Sequence, residues 1–281
     1  MSYIVLARKW RPQNFDEVVG QPHITTTLKN AISLGRVAHA YLFTGPRGIG
    51  KTSTARILAK ALNCTQGPTI HPCDRCDSCK EIMVSNSLDV LEIDGASNRG
   101  IDEIRNLREN VRFAPAKGRF KVYIIDEVHM LTQEAFNALL KTLEEPPHHV
   151  KFIFATTRPH KIPPTILSRC QRFDFKRIPV NDLLAKLKNI AEVEKLKVSK
   201  EALFYIARVS EGSMRDAESI LDQLASFCDS TIEVNDVVSV LGKVDQDVLF
   251  ELAQALIDKD AGKGLGLINE LKMMARTLCS F

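Results

Sequence analysis

Gly45-Pro46-Arg47-Gly48-Ile49-Gly50-Lys51-Thr52 follows the apolar run Ala40-Tyr41-Leu42-Phe43 and precedes a helical pattern from Ser53 to Leu62. The octet is a complete phosphate-binding loop in the strand-to-helix setting that gives it meaning. Gly45, Gly48 and Gly50 allow backbone angles closed to other residues, so successive N–H groups can turn inward on a phosphate at the positive end of the next helix. Lys51 is then placed to reach β- and γ-phosphates, and the Thr52 hydroxyl to hold Mg²⁺. A glycine-rich turn that binds nothing is the bland alternative. The four fixed positions and both flanks count against it.

The surrounding chain fits an open parallel α/β sheet. Lys121-Val122-Tyr123-Ile124-Ile125-Asp126-Glu127 reads as an apolar strand ending in two adjacent carboxylates. Ligands of such sheets sit at the carboxyl ends of strands, which places this pair beside the phosphate loop. Asp126 can hold Mg²⁺ through water, and Glu127 can polarise an attacking water. An Asp-Glu pair standing alone would more often start a helix. Further strands are read at Leu88 to Ile93, Val150 to Ala155 and Gln171 to Phe175, and helices at Ile24 to Leu34, at Ile101 to Val111 and after Thr132, with Phe136, Leu139, Leu140 and Leu143 on one face. From Ile178-Pro179 onward the period is purely helical: Leu183 to Leu196, Lys200 to Val209, Arg215 to Phe227, Val234 to Leu241, Val248 to Ile257 and Leu265 to Leu278. Strands alternating with helices, then helices only, predict an α/β domain and an all-helical remainder.

Composition sets outer bounds. The 281 residues are 44% hydrophobic and 26% charged, an ordinary globular balance with length for about two domains. Apolar runs are strand-length and Met1 to Lys9 lacks the apolar core of a signal peptide, so a cytoplasmic protein without membrane contact is expected. Net charge is only +4, so any nucleic-acid surface must be local. The basic arm Leu6-Ala7-Arg8-Lys9-Trp10-Arg11-Pro12 shows no helix or strand period and is expected to lie extended. It is either a solvated tail or a cover, through Trp10 and Pro12, over a base bound near the phosphate loop.

Four of the seven cysteines cluster: Cys64, then Cys73, Cys76 and Cys79. Two overlapping C-x-x-C steps plus one cysteine upstream give four thiolates that a short loop can fold into a tetrahedron, with no coordination position left open. Structural Zn²⁺ is the favoured reading. A redox pair needs neither the third nor the fourth cysteine, and an iron–sulfur cluster lacks any redox motif around it.

In this order the pieces resemble the motor subunits of the bacterial DNA polymerase III clamp loader, the gamma/tau family of AAA+ ATPases. The resemblance rests on Arg8 to Pro12, Gly45 to Thr52, the four cysteines, Asp126-Glu127-Val128-His129, Ser168-Arg169-Cys170 and Gly212-Ser213-Met214-Arg215-Asp216-Ala217. It implies an ATPase that helps load a sliding clamp onto primed DNA together with other loader subunits, with ATP, Mg²⁺ and structural Zn²⁺ as cofactors. By position it makes Thr157 the first sensor of the γ-phosphate, Arg169 a finger serving a neighbouring subunit's nucleotide and Arg215 a second sensor. Ser53, Arg8, Arg11 and Pro12 join the nucleotide site, and Asn98, Arg99 and Arg105 become a sequence-independent DNA contact. It also implies a nucleotide domain over 1–177 with the zinc module at 64–79, a helical lid over 178–242 and the start of a helical collar over 243–281, truncated at Phe281. One departure stands out: Arg158 follows Thr157 where the family usually carries an acid. The competing readings are another AAA+ DNA-remodelling motor and an inert scaffold subunit of the same complex.

Overall fold

The computed structural model describes residues 3–97, 101–228, 230–241 and 246–268. Five parallel strands form one sheet: β1 (Ala40–Thr44), β2 (Val90–Asp94), β3 (Lys121–Asp126), β4 (Val150–Thr156) and β5 (Gln171–Asp174), ordered β2-β3-β4-β1-β5. Because β1 pairs with β4 and β5 while the chain after it crosses to the far edge, the order switches direction at β1. Thr44 is in register with Thr156, and Asp94 with Asp126, so the carboxyl ends of four strands line one edge.

Strand alternation sorts the side chains into two cores. Tyr41, Phe43, Val122, Ile124 and Ile153 face α2 (Pro22–Ser33) and α3 (Lys51–Asn63), which contribute Ile24, Leu28, Ile57 and Leu58. Leu42, Tyr123, Ile125, Phe152 and Phe154 face α5 (Ile101–Asn110) and α6 (Gln133–Glu144), which contribute Leu107, Phe136, Leu139 and Leu143. With both faces covered, the central strands β1, β3 and β4 read as near-continuous apolar runs, whereas the edge strands β2 and β5 carry exposed charged residues. The short α4 (Asp77–Met83) follows the cysteine loop and α7 (Pro164–Leu167) precedes β5.

A third core belongs to α8 (Val180–Glu194), α9 (Lys200–Val209), α10 (Met214–Phe227) and α11 (Val234–Leu241), joined through Leu183, Leu187, Ile206, Leu221 and Val237. Ser199 and Ser213 cap α9 and α10 by accepting from the N–H groups of Ala202 and Asp216. Beyond them lies α12 (Gln246–Ile257), and residues 261–268 are helical again; the rest of the expected Leu265 to Leu278 helix lies outside the described residues. No helix among the described residues is long and apolar enough to cross a membrane.

The arm departs from expectation. It contains α1 (Leu6–Lys9) rather than an extended strand. Leu6 is 5% exposed in the core of the helical unit, the Trp10 Nε1–H donates to Glu194 at 2.8 Å, and Lys9 pairs with the same carboxylate. Tertiary burial of one leucine overrides the absence of a helical period over a single turn.

Candidate nucleotide-binding site

A cavity of about 790 Å³ opens where the phosphate loop, the arm and α10 meet, within the range of sites that enclose small ligands. Gly45, Gly48 and Gly50 hold φ values of +137°, +76° and +98°, angles closed to other side chains. A Cβ on Gly48 would stand 1.9 Å from the Ser213 Oγ, so this glycine also lets the N-terminus of α10 rest on the loop. The Arg215 N–H donates to the Gly48 carbonyl at 3.3 Å.

Lys51 is buried and its Nζ donates to the Gly45 and Pro46 carbonyls at 2.9 and 2.6 Å. Burial draws its pKa down, and Glu127 and Asp126 pull the other way. The Thr52 hydroxyl donates to Asp126 at 2.6 Å across 74 residues of chain. This places a hydroxyl and a carboxylate oxygen together at the mouth of the loop, the donor set that hard divalent cations take.

Glu127 has left-handed backbone angles (φ +45°) that turn its side chain off the strand. Its Oε2 accepts from the Thr157 hydroxyl at 2.9 Å and lies 3.2 Å from His129 Nδ1. His129 also sits 3.0 Å from the Thr156 hydroxyl. Burial lowers the His129 pKa, opposed by Glu127 and assisted by Arg158 and Lys161.

Of the other nucleotide-site residues read from the sequence, Ser53, Arg11, Pro12 and Arg215 line the cavity, as does Trp10. Arg8 is exposed and does not line it. Arg169 stands apart from the cavity: it donates to the Glu144 carboxylate and the Thr165 carbonyl, each at 2.6 Å. Asn98 and Arg99 lie outside the described residues; Arg105 is within α5, its side chain likewise undescribed.

Sequence reasoning missed three features of the cavity. Arg56 of α3 makes a two-bond ion pair with Glu92 of β2, at 2.7 and 2.8 Å. Lys186 of α8 lies 5.1 Å above the Trp10 ring. Glu218 of α10 is almost fully buried, and burial pushes its carboxyl up to about 7 against the pull of Lys186 and Arg11. None of these pairings has a sequence spacing that could have announced it.

The four clustered cysteines are free thiols whose sulfurs all lie within 4.8 Å of one another. Zn–S bonds of about 2.3 Å put tetrahedral sulfurs about 3.8 Å apart, so small side-chain shifts would close the set on a metal. The Cys73 and Cys76 N–H groups each point at a cysteine sulfur at 3.4 Å. Although burial alone would raise it, hydrogen bonds from Thr65, Cys79 and Cys73 bring Cys76 down to about 6; burial pushes Cys79 up. The donor set fits a thiolate-bound metal.

Two family models match the chain: DNA polymerase III, delta subunit, over 20–179, and DNA polymerase III clamp loader subunit, ATPase lid domain, over 183–230. The chain is 54% identical over 271 residues to DNA polymerase III subunit tau of Bacillus subtilis, covering 96% of this chain and 48% of that protein. It is 52% identical to the tau subunit of Escherichia coli, with 42% of that protein covered. Against DNA polymerase III subunit gamma of Buchnera aphidicola from Acyrthosiphon pisum it is 46% identical, covering 96% of this chain and 75% of that one. The chain thus spans about half the length or less of the tau relatives and three quarters of the gamma relative. Among solved structures, the Thermotoga maritima RuvB Holliday junction branch migration motor superposes with a TM-score of 0.62 at 20% identity, covering 88% of this chain and 79% of that one. That likeness carries the fold alone.

Proposed function

The chain belongs to the gamma/tau family of DNA polymerase III clamp-loader subunits, and from that premise we propose that it hydrolyses ATP to drive the loading of a sliding clamp onto primed DNA. The observation that carries the proposal is the meeting of the Thr52–Asp126 pair and the Thr157-held Glu127 at the mouth of one phosphate loop. Scaffolding alone requires neither.

Lys51 exchanges its two loop carbonyls for the β- and γ-phosphates, and the glycine-rich N–H groups take the remaining phosphate oxygens. Thr52 and Asp126 would hold Mg²⁺, which would supply charge neutralisation to the phosphates. Glu127 polarises the water that attacks the γ-phosphorus in line with the departing oxygen, and positioning with charge stabilisation supplies nearly all the acceleration. A γ-phosphate competing for the Thr157 hydroxyl frees the Glu127 carboxylate for that water, so the sensor and the base act as one unit. Arg215 reaches the same nucleotide from the lid, and Arg169 serves the nucleotide of an adjacent subunit, both as charged forks suited to phosphate.

The same reading divides the chain into a nucleotide domain over 1–177, a lid over 178–242 and collar sequence over 243–281. It assigns one structural Zn²⁺ to Cys64, Cys73, Cys76 and Cys79. The partners are the clamp, other loader subunits and primed DNA, gripped through phosphates at Asn98, Arg99 and Arg105 and therefore indifferent to base sequence. Phosphate release by the purified chain, measured alone and with primed DNA and clamp, tests the proposal. Turnover stimulated by the two together is expected. A chain that binds ATP without ever hydrolysing it would return the protein to the scaffold reading.

A further inference from the structure

Met214, Arg215 and, one turn on, Glu218 form the face that α10 turns to the cavity. Glu218 is 4% exposed, yet no hydrogen bond or ion pair of the described residues reaches its carboxylate; Lys186 and Arg11 act on it only through charge at longer range. The side chain is buried, but its carboxylate is not among the buried unpartnered polar groups: it opens onto the cavity, where a ligand with a donor can reach it. The triphosphate half of a nucleotide offers only acceptors and negative charge, so it cannot be the partner.

Position narrows the choice further. The contact of Arg215 N–H with the Gly48 carbonyl fixes the start of α10 against the phosphate loop. Glu218 lies three residues further, about 4.5 Å along the helix axis, on the side where Trp10 and Arg11 close the cavity. The apolar part of the cavity lining includes Val18, Val19, Ile178 and Met214, the last on α10 itself. Such a slot takes a flat base rather than a sugar bearing two hydroxyls.

Resting on the nucleotide reading of this cavity, we infer that Glu218 is a specificity-determining residue that accepts a hydrogen bond from the exocyclic amine of adenine at the edge of the Val18–Ile178–Met214 slot. In its ionised form, which the adenine amine favours, Glu218 meets the carbonyl oxygen of guanine with an electron pair of its own. A purine without the amine covers the Glu218 carboxylate and offers it no donor, which is how polar sites discriminate.

The test compares ATP with purine riboside triphosphate, which lacks only the 6-amino group, and with 2′-deoxy-ATP, by titration calorimetry on the native chain, Glu218→Leu and Glu218→Gln. The native chain is expected to prefer ATP over purine riboside triphosphate by about tenfold or more. Glu218→Leu should erase that preference while binding purine riboside triphosphate as the native chain does, which also reports an intact fold. Glu218→Gln keeps a carbonyl acceptor and should retain most of the preference. An unchanged preference in Glu218→Leu overturns the inference. So does a loss confined to the discrimination between ATP and 2′-deoxy-ATP, which moves the contact to the ribose. A native chain that binds none of the three overturns the nucleotide reading itself, and the inference with it.

Discussion

Thr52 and Asp126 meet at 2.6 Å although 74 residues separate them, and the reason is local at each end. One opens the helix after a glycine loop and the other closes an apolar strand, so both arrive at the carboxyl edge of one sheet. Side chains of this kind are legible in sequence because each carries its own local marker. Arg56 and Glu92 carry none: the pair is set by where α3 crosses β2, and only the folded sheet brings them together. Roles separate cleanly by substitution at this scale. Lys51→Ala leaves the β- and γ-phosphate charge without its cation, so ATP affinity should fall by about a hundredfold or more. Glu127→Gln keeps the shape and loses the carboxylate proposed as the base, so it should bind ATP normally and turn over at least a hundredfold more slowly. Equilibrium binding and phosphate release measured on the same two variants check both, and native turnover by Glu127→Gln would remove the assignment of the base.

At the scale of elements, the cysteine loop was legible from spacing, whereas its tie to the rest was not. Lys60 of α3, 1% exposed, donates to Asp74 between two of the cysteines at 2.5 Å, so the loop braces the helix that starts at the phosphate site. Elemental analysis should find one zinc per chain. Cys76→Ala should lose the metal and lower the melting temperature while ATP binding persists, because the phosphate loop is at the other end of α3. A metal-free native chain of unchanged stability would contradict it.

A second brace lies across the sheet. Asp89, 5% exposed, accepts from the N–H groups of Ala116, Lys117 and Gly118 at 2.6 to 2.8 Å and so fixes the turn into β3. Burial alone would raise its pKa, but these three donors bring it below the ordinary carboxylate value. A depressed folded-state pKa means stability that is fully present above the unfolded value of about 3.9 and is lost as pH falls through the lower folded value. Asp89→Ala should therefore cost about 2–4 kcal/mol at pH 7, leaving buried N–H groups unpaired, and the difference from the native chain should shrink below about pH 4. Denaturant titrations at pH 7 and pH 3 measure it.

For the whole molecule, the alternation of strands and helices followed by helices alone was enough to anticipate an α/β sheet with a helical unit beside it. The manner in which the two join was not, because it depends on Leu6 and Trp10 entering the helical core from an arm with no period of its own. That join puts Arg11, Arg215 and Glu218 around one cavity and leaves Arg169 out of it. Arg169 is held by Glu144 on α6, a partly exposed ion pair that contributes little and is easily exchanged for a phosphate. A guanidinium outside its own site can assist hydrolysis only in a site that another chain presents to it. Arg169→Ala should thus bind ATP with native affinity, yet fail to stimulate a neighbour. Mixing makes the requirement explicit: Arg169→Ala should supply a competent phosphate site, Glu127→Gln should supply a competent finger, and each alone should be inactive. When both are combined with partner subunits, turnover should reappear in the sites where the native Arg169 of one variant faces the native Glu127 of the other. Mixtures no more active than the two variants measured separately would place the arginine's action within its own chain.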